Sequence, residues 1–177
     1  MEQLFNNEIF IIAFKIFLAV LISGIIGAER GRHGRSAGMR THILVCLGST
    51  LTAMTGLYIQ QVTGTGDAMR IAAQVISGVG FLGAGMIIHR NGNIVTGLTT
   101  AAGVWTTAGI GLAAGAGMYG IAVYATLIIL GVQIVIHRIL PVENTSTNSL
   151  SMKLVDNPEA IENITNILKE NKFEIIS

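Results

Sequence analysis

The chain has 177 residues, of which 51% are apolar and 12% are charged, and its mean hydropathy is +0.63. A soluble domain carries roughly 25% charged residues, so the composition argues against an ordinary soluble protein and indicates a membrane protein. The formal net charge of +1 argues against a nucleic-acid partner, and the single cysteine, Cys46, excludes an intrachain disulfide.

The first predicted transmembrane helix covers residues 9–28, an apolar run long enough to cross a bilayer. The segment before it, MEQLFNNE, is acidic and lacks the basic region of a signal peptide, so we expect the helix to be retained. Lys15 interrupts the run. We interpret it as a lysine that extends its ammonium group toward an interface.

An arginine-rich loop follows the first helix and is the only strongly basic stretch of the chain. Residues 29–42 read ERGRHGRSAGMRTH. Because cytoplasmic loops are enriched in arginine and lysine, we predict this loop on the cytoplasmic side. Its arginines either set the orientation and contact anionic lipid head groups, or Arg40, Thr41 and His42 form a contact for an anion or a partner protein.

Four further transmembrane helices are predicted from the remaining apolar runs. They cover residues 43–60, 70–88, 96–114 and 118–136. The loop 61–68 carries one carboxylate and no lysine or arginine, which suits the outer face, whereas Arg90 and Arg138 flank predicted cytoplasmic ends. Five spans with the N-terminus outside and the C-terminus inside place the arginine-rich loop, Arg90 and Arg138 on one side of the membrane.

The third and fourth predicted helices, joined by a polar turn at residues 89–93, are rich in small and hydroxyl side chains. Helical spacing aligns these groups in one stripe on each helix. The third carries Asp67, Arg70, Gln74 and Ser77, and the fourth carries Thr96, Thr99, Thr100, Gly103, Thr106, Thr107 and Gly111. Small residues let membrane helices approach closely, so we expect packing contacts at Gly78, Gly80, Gly83, Gly85, Gly103 and Gly111.

Two hypotheses explain the polar stripe of the third helix. It forms an interhelical hydrogen-bonded seam with the threonines of the fourth helix, or it lines a hydrated outer pocket in which Asp67 attracts a cation and Arg70 tunes the charge. In the second case Asp67 is the candidate ligand for Mg²⁺. Glu29 beside Arg30 poses the same choice, between an ion pair at a helix end and an oxygen ligand for a hard cation.

No enzyme and no cofactor are predicted. The sequence has no metal-site spacing, Walker loop or catalytic triad. Residues 78–83 and 115–120 match the dinucleotide motif G-x-G-x-x-G, but both lie in predicted membrane segments and neither follows a predicted strand. We interpret both motifs as sites of close helix packing. The one ligand that the sequence suggests is Mg²⁺.

The composition changes after residue 140, so we divide the chain into a transmembrane domain (1–140), a polar linker (141–149) and a soluble tail (150–177). The tail is predicted as a β-α-β unit. Residues 150–155 and 173–176 form its strands, and Asn157 and Pro158 begin its helix. One helix on two strands is too small a core to be stable alone, so we expect a truncated chain or a unit completed by another copy.

Three motifs resemble the bacterial MgtC/SapB family, and the resemblance covers residues 8–138. They are Glu29-Arg30 followed by SAGMRTHILVCLG (36–48), then RIAAQVISGVGFLGAG (70–85), and GLTTAAGVW (97–105), which ends at Trp105. The resemblance implies a multi-pass inner-membrane protein linked to magnesium homeostasis and adaptation to low Mg²⁺, acting through other membrane proteins, including the ATP synthase. It also implies an ACT-like cytoplasmic domain, and the tail is similar to the first part of one.

The resemblance also bears on virulence, because Thr99 and Thr106 stand where virulence-type members have Asn and Cys. That departure favours the broader SapB-like branch of the family.

Two classes of function follow from the sequence. The first is a non-enzymatic membrane regulator that docks on partner proteins, and the second is a small cation transporter or channel acting as an oligomer. Five spans are few for a monomeric transporter, and no helix is visibly broken around paired acids, so we favour regulation. The small-residue stripes exceed what one hairpin needs, so we expect a homodimer in the lipid bilayer.

Overall fold

Five helices and one short strand pair make up the first unit of the fold in a computed structural model, which describes residues 2–90, 94–139, 163–168 and 171. In chain order the elements are α1 (Glu2–Arg32), α2 (Met39–Thr63), α3 (Ala68–Met86), β1 (Ile88–Arg90), β2 (Ile94–Thr96), α4 (Leu98–Gly115) and α5 (Tyr119–Ile139). The chain divides into two compact units, residues 1–141 and 142–177.

In the second unit, residues 163–168 are helical. The predicted linker and both predicted strands of the tail lie outside the described residues.

Three of these helices are long and apolar enough to cross a membrane. They are Asn7–Arg32 within α1, Met39–Thr63 and Ala68–Met86, and α5 adds a shorter apolar stretch, Tyr119–Val135. The prediction of a mostly helical protein with membrane-spanning helices is therefore confirmed at this level. The count of five spans and their orientation stay predictions.

The first helix buries one face and leaves the opposite face exposed. Its buried side chains recur at intervals of three or four residues, which is the spacing of one helical face. They are Ala19, Ile22, Ser23, Ile26 and Arg30. Phe10 and Phe17 lie on the exposed side, as expected for a helix that faces protein on one side and lipid on the other.

The fourth helix is the centre of the unit, because it packs against α1, α2, α3 and α5. It runs parallel to α2: Thr107, Gly111 and Gly115 follow His42, Cys46 and Thr50 in step, four residues at a time. It runs antiparallel to α1.

Glycine permits the close approach of α2 and α4. A Cβ atom on Gly111 would collide with the Cys46 carbonyl oxygen, and one on Gly115 would collide with that of Thr50. This repeat of small residues every four positions is the packing pattern of close membrane helices.

The connection between α3 and α4 differs from the predicted polar turn. β1 and β2 pair antiparallel with Ile88 opposite Thr96, so α3 ends at Met86 and α4 starts at Leu98, each helix shifted about two residues from its predicted bound. Gly97 causes the late start, since its φ of 92° is left-handed and a Cβ there would collide with the Met86 carbonyl oxygen. The β-branched residues Ile88, Ile94 and Val95 favour strands over helix.

Candidate functional site

The candidate site is a buried polar cluster where the end of α1, the first turn of α2 and the first turns of α4 meet. Arg30 is 3% exposed and His42 is fully buried. Arg30 Nη2 donates to Thr100 Oγ1 at 2.8 Å. His42 Nδ1 lies 2.8 Å from Thr107 Oγ1, and that hydroxyl donates to the Gly103 carbonyl oxygen at 2.8 Å.

Thr107 Oγ1 lies 2.8 Å from both His42 Nδ1 and the Gly103 carbonyl oxygen. When the hydroxyl proton goes to the carbonyl, Thr107 Oγ1 accepts from Nδ1–H of the ring, and when it goes to the ring, Nδ1 is the acceptor. Among the described residues, two buried nitrogens of the cluster have no hydrogen-bond partner, namely Arg30 Nε and His42 Nε2. Such atoms are uncommon in native interiors and call for a physical account.

The sequence builds this cluster through the spacing of small and hydroxyl residues on α4. Thr100, Gly103 and Thr107 lie at i, i+3 and i+7, which is one face of a helix. Gly103 leaves room for the side chains of Arg30 and His42, since a Cβ there would lie 3.7 Å from Arg30 Cδ and from His42 Cε1. The structure therefore brings Arg30 and His42 together with three residues of the predicted α4 stripe, Thr100, Gly103 and Thr107.

A second polar contact, missed by sequence reasoning, lies at the other end of α4. Lys15 donates from Nζ to the carbonyl oxygen of Gly115, the last residue of α4, at 2.9 Å. A cation at a helix C-terminus is favourable because the helix dipole is negative there. The residue spacing agrees with this pair of contacts. Lys15 and Arg30 are as far apart in sequence as Thr100 and Gly115, which lets an antiparallel α1 and α4 form both contacts at once.

The expected ion pair between neighbours Glu29 and Arg30 is not the arrangement observed. The Glu29 carboxylate lies 3.0 Å from His33 Nδ1, four residues later on the same helix. Arg30 instead points into the bundle toward Thr100. Adjacent residues on a helix point about 100° apart, so a buried Arg30 leaves Glu29 facing another direction.

Other predicted residues lie at the surface around the same end of the fold. Arg40 and Thr99 are exposed, Thr41 is half-buried, and Trp105 is 46% exposed. An open, mainly apolar groove of about 420 Å³ adjoins them. It is lined by Ser36, Ala37, Thr41, Phe81, Leu82, Gly85, Met86 and Val104.

The predicted seam between the α3 stripe and the threonines of α4 is wrong. Thr100 and Thr107 bond to residues of α1 and α2, and Thr106 donates to carbonyl oxygens of its own helix. The hydroxyl face of α4 is turned away from α3, which meets α4 through contacts such as Gly83 with Ala101. The stripe residues Asp67, Arg70, Gln74 and Ser77 are all exposed in the single chain.

The six glycines expected at helix contacts fall into two groups. A Cβ would meet neighbouring side chains at Gly83 and Gly103 and the Cys46 backbone at Gly111, but would meet no atom of the described residues within 4 Å at Gly78, Gly80 and Gly85. Sequence reasoning did not select Gly27, where a Cβ would lie 2.5 Å from the Met39 Cα. Gly115, the first residue of the second G-x-G-x-x-G match, does lie at a close contact with α2.

Asp67 is the N-cap residue of α3, and its carboxylate accepts hydrogen bonds from Met69 N at 2.9 Å and Arg70 N at 3.2 Å. We expect Asp67→Ala to lower the free energy of unfolding by about 1 kcal/mol, and Asp67→Asn to keep wild-type stability, because asparagine caps equally well. Thermal unfolding of both variants checks this. Growth at limiting Mg²⁺ is the second measurement: impaired growth of a fully stable Asp67→Asn variant would contradict a purely capping role and favour the cation pocket.

Apolar helices of spanning length around a buried polar cluster define the chain as an α-helical membrane protein. The family model of the MgtC family matches residues 16–141, and the chain belongs to this family. The resemblance inferred from the three motifs is thus confirmed. No solved structure matches the chain.

Three relatives show the range of similarity. "Putative magnesium transporter YhiD" of Escherichia coli (strain K12) is 46% identical over 130 residues, 71% of this chain and 60% of the relative's length. "Protein MgtC" of Salmonella choleraesuis (strain SC-B67) is 37% identical over 165 residues, 88% of this chain and 69% of the relative. An "Uncharacterized protein" of Haemophilus influenzae is 38% identical over 188 residues, 99% of this chain and 77% of the relative.

Proposed function

We propose that this chain is a non-enzymatic inner-membrane protein that supports magnesium homeostasis at low Mg²⁺ by regulating partner membrane proteins. The observation that carries the proposal is the placement of cationic groups at both ends of the central helix. Arg30 is bonded at the first turn of α4 and Lys15 at its last residue. Two like charges 4 Å apart repel by about 4 kcal/mol at an effective dielectric constant of 20, so a cation moving along α4 would meet two barriers.

The exposed face of α3 supports a role in docking. Arg70, Gln74 and Ser77 lie on a helix apolar enough to cross a membrane, yet all three are exposed. Polar groups that face lipid are unfavourable, so this face fits a protein neighbour. We propose a second copy of the chain or a partner membrane complex, such as the ATP synthase that the family resemblance implies, in that position.

The second candidate is an oligomeric Mg²⁺ transporter. The Escherichia coli relative carries the name "Putative magnesium transporter YhiD". The same exposed face of α3 would then line a path between copies, with Asp67 at its mouth. The two candidates therefore differ in whether the purified chain alone moves Mg²⁺.

The test compares flux with growth. The purified full chain is placed in liposomes that enclose a Mg²⁺-sensitive dye, with protein-free liposomes as the baseline and an ionophore as the positive control. We expect flux at the baseline, while expression of the same chain restores growth at limiting Mg²⁺ in a strain lacking its homologue. Saturable Mg²⁺ flux that Asp67→Asn reduces would overturn the regulatory proposal and favour the transporter.

A further inference from the structure

The groove at the arginine-rich end of the fold is lined mainly by apolar side chains. Its volume of about 420 Å³ lies within the range of small-molecule sites, roughly 300–1,000 Å³. Two of its lining residues, Ala37 and Val104, belong to a buried apolar cluster, whereas Phe81 is 82% exposed. The groove therefore leads from the core of the bundle to its lipid-facing surface.

The groove extends from the ends of the helices into the depth of the bundle. Ser36 lies in the loop between α1 and α2, and Thr41 lies in the first turn of α2. Phe81 lies five residues before the end of α3, and Val104 lies six residues after the start of α4, which is about 7–9 Å along each axis. The polar layer on each side of a bilayer is about 5–8 Å thick, so the groove reaches from that layer into the hydrocarbon core.

Positive charge adjoins the hydroxyl end of the groove. Arg35 directly precedes Ser36, Arg40 directly precedes Thr41, and both arginines are exposed. Neither arginine forms an ion pair in the described part of the chain, and the hydroxyl groups of Ser36 and Thr41 have no described hydrogen bond. Two cations and two hydroxyl groups are thus available to an anionic group such as a phosphate.

A phospholipid combines the two chemistries that the groove offers. Its acyl chain matches the apolar lining, and its phosphate matches the arginines and hydroxyl groups. The lining alone selects no lipid, because acyl chains are as apolar as leucine and gain little by leaving the bilayer. The preference must come from the head group, and each arginine near the membrane surface favours an anionic lipid by about fivefold.

We propose that the groove is a binding site for one phospholipid whose head group carries a net negative charge. The phosphate lies at the hydroxyl end, where Arg35 and Arg40 neutralise it and Ser36 and Thr41 donate hydrogen bonds to it. The first part of one acyl chain lies along Phe81. The site requires only that these helices cross a membrane, and it is independent of whether the chain regulates partners or transports Mg²⁺.

The test counts the lipids bound to the purified full chain in detergent by native mass spectrometry. The ligands are phosphatidylglycerol, phosphatidylcholine with the same acyl chains, and soluble glycerol phosphate, which has the phosphate but no chains. We expect one phosphatidylglycerol per chain at saturation, bound at least about tenfold more tightly than phosphatidylcholine, and no glycerol phosphate at the same concentrations. Equal affinity for the two lipids, or glycerol phosphate bound as tightly as lipid, would overturn the proposal.

Gly85→Leu tests the groove itself. Gly85 lines the groove, and a Cβ there would meet no atom of the described residues within 4 Å, so the leucine fills the groove without a collision at Cβ. We expect this variant to fold and to lose the bound phosphatidylglycerol. Gly80→Leu is the matched control, because it is the same change on α3 at an equally open glycine outside the groove lining, and it should bind lipid as wild type does.

Two results with these variants would contradict the proposal. One is equal binding of phosphatidylglycerol by Gly85→Leu and Gly80→Leu. The other is a lipid-free dimer of the wild-type chain that Gly85→Leu converts to a monomer, because a second copy would then be the occupant of the groove.

If Gly85→Leu does not fold, the charge is tested at Arg40, whose exposure allows substitution. Arg40→Gln should weaken the binding of phosphatidylglycerol about fivefold and leave that of phosphatidylcholine unchanged, whereas Arg40→Lys keeps the charge and should bind nearly as wild type does. Adding Arg35→Gln to Arg40→Gln should weaken binding about 25-fold in total. An unchanged affinity of this double variant for phosphatidylglycerol would show that the arginines hold no head group.

Discussion

Gly111→Ala is expected to separate α2 from α4 and to lower the free energy of unfolding by about 1–3 kcal/mol, the usual cost of overpacking. The added Cβ would collide with the Cys46 carbonyl oxygen and lie 2.9 Å from Ser49 Cβ. Because the obstacle is backbone, the strain cannot be relieved by a change of rotamer. Thermal unfolding in detergent and the yield of monodisperse protein measure the effect, and leucine at the same position should enlarge it.

Two glycines provide controls for this prediction. Gly109→Ala adds a methyl group on the open side of α4, and Gly80→Ala adds one on α3, and neither Cβ would meet an atom of the described part of the chain within 4 Å. Both variants should unfold at or near the wild-type Tm. Equal stability of Gly111→Ala and Gly109→Ala would contradict the close packing of α2 against α4.

Thr100→Val is expected to lower the free energy of unfolding by about 1.5–3 kcal/mol, the range for a hydrogen bond to a charged group. Valine has nearly the same shape as threonine, so the change removes the acceptor of the Arg30 bond without creating a cavity. The buried guanidinium then loses its partner and keeps its charge. Thermal unfolding measures the loss.

Thr99→Val is the matched control for Thr100→Val. Thr99 is the preceding residue on the same helix, and its side chain is exposed rather than buried. The substitution should change the free energy of unfolding by less than about 0.5 kcal/mol, as is usual for a surface site. A Thr99→Val variant as unstable as Thr100→Val would show that the effect comes from helix propensity and not from Arg30.

These two predictions concern the same helix and have different physical causes. Gly111 acts through sterics, since α2 and α4 are close enough for backbone to touch the glycine. Thr100 acts through electrostatics, since its hydroxyl in the first turn of α4 accepts a hydrogen bond from the buried guanidinium of Arg30. The sites lie on separate turns and share no described contact, so their effects on stability should be nearly additive in the double variant.

The sequence by itself determined the class of this protein and most of its local structure. Low charge and long apolar runs require a membrane setting, because unbroken apolar helices of this length bury their surface in lipid. The bounds of α3 and α4 followed from the same runs to within about two residues, whereas α1 and α2 begin seven and four residues before their predicted starts at Ile9 and Ile43. The motifs around Arg30, His42 and Thr100 were also sufficient to place the chain in its family.

Only the tertiary structure decided which polar groups meet. Periodicity shows that Thr100, Gly103 and Thr107 share a face, but it does not show which helix that face contacts. Arg30 and Thr100 are 70 residues apart, and the pairing depends on α1 packing antiparallel to α4. The threonines consequently bond α1 and α2 and not the stripe of α3, because the small residues of α4 let α2 approach until backbone and side chains touch.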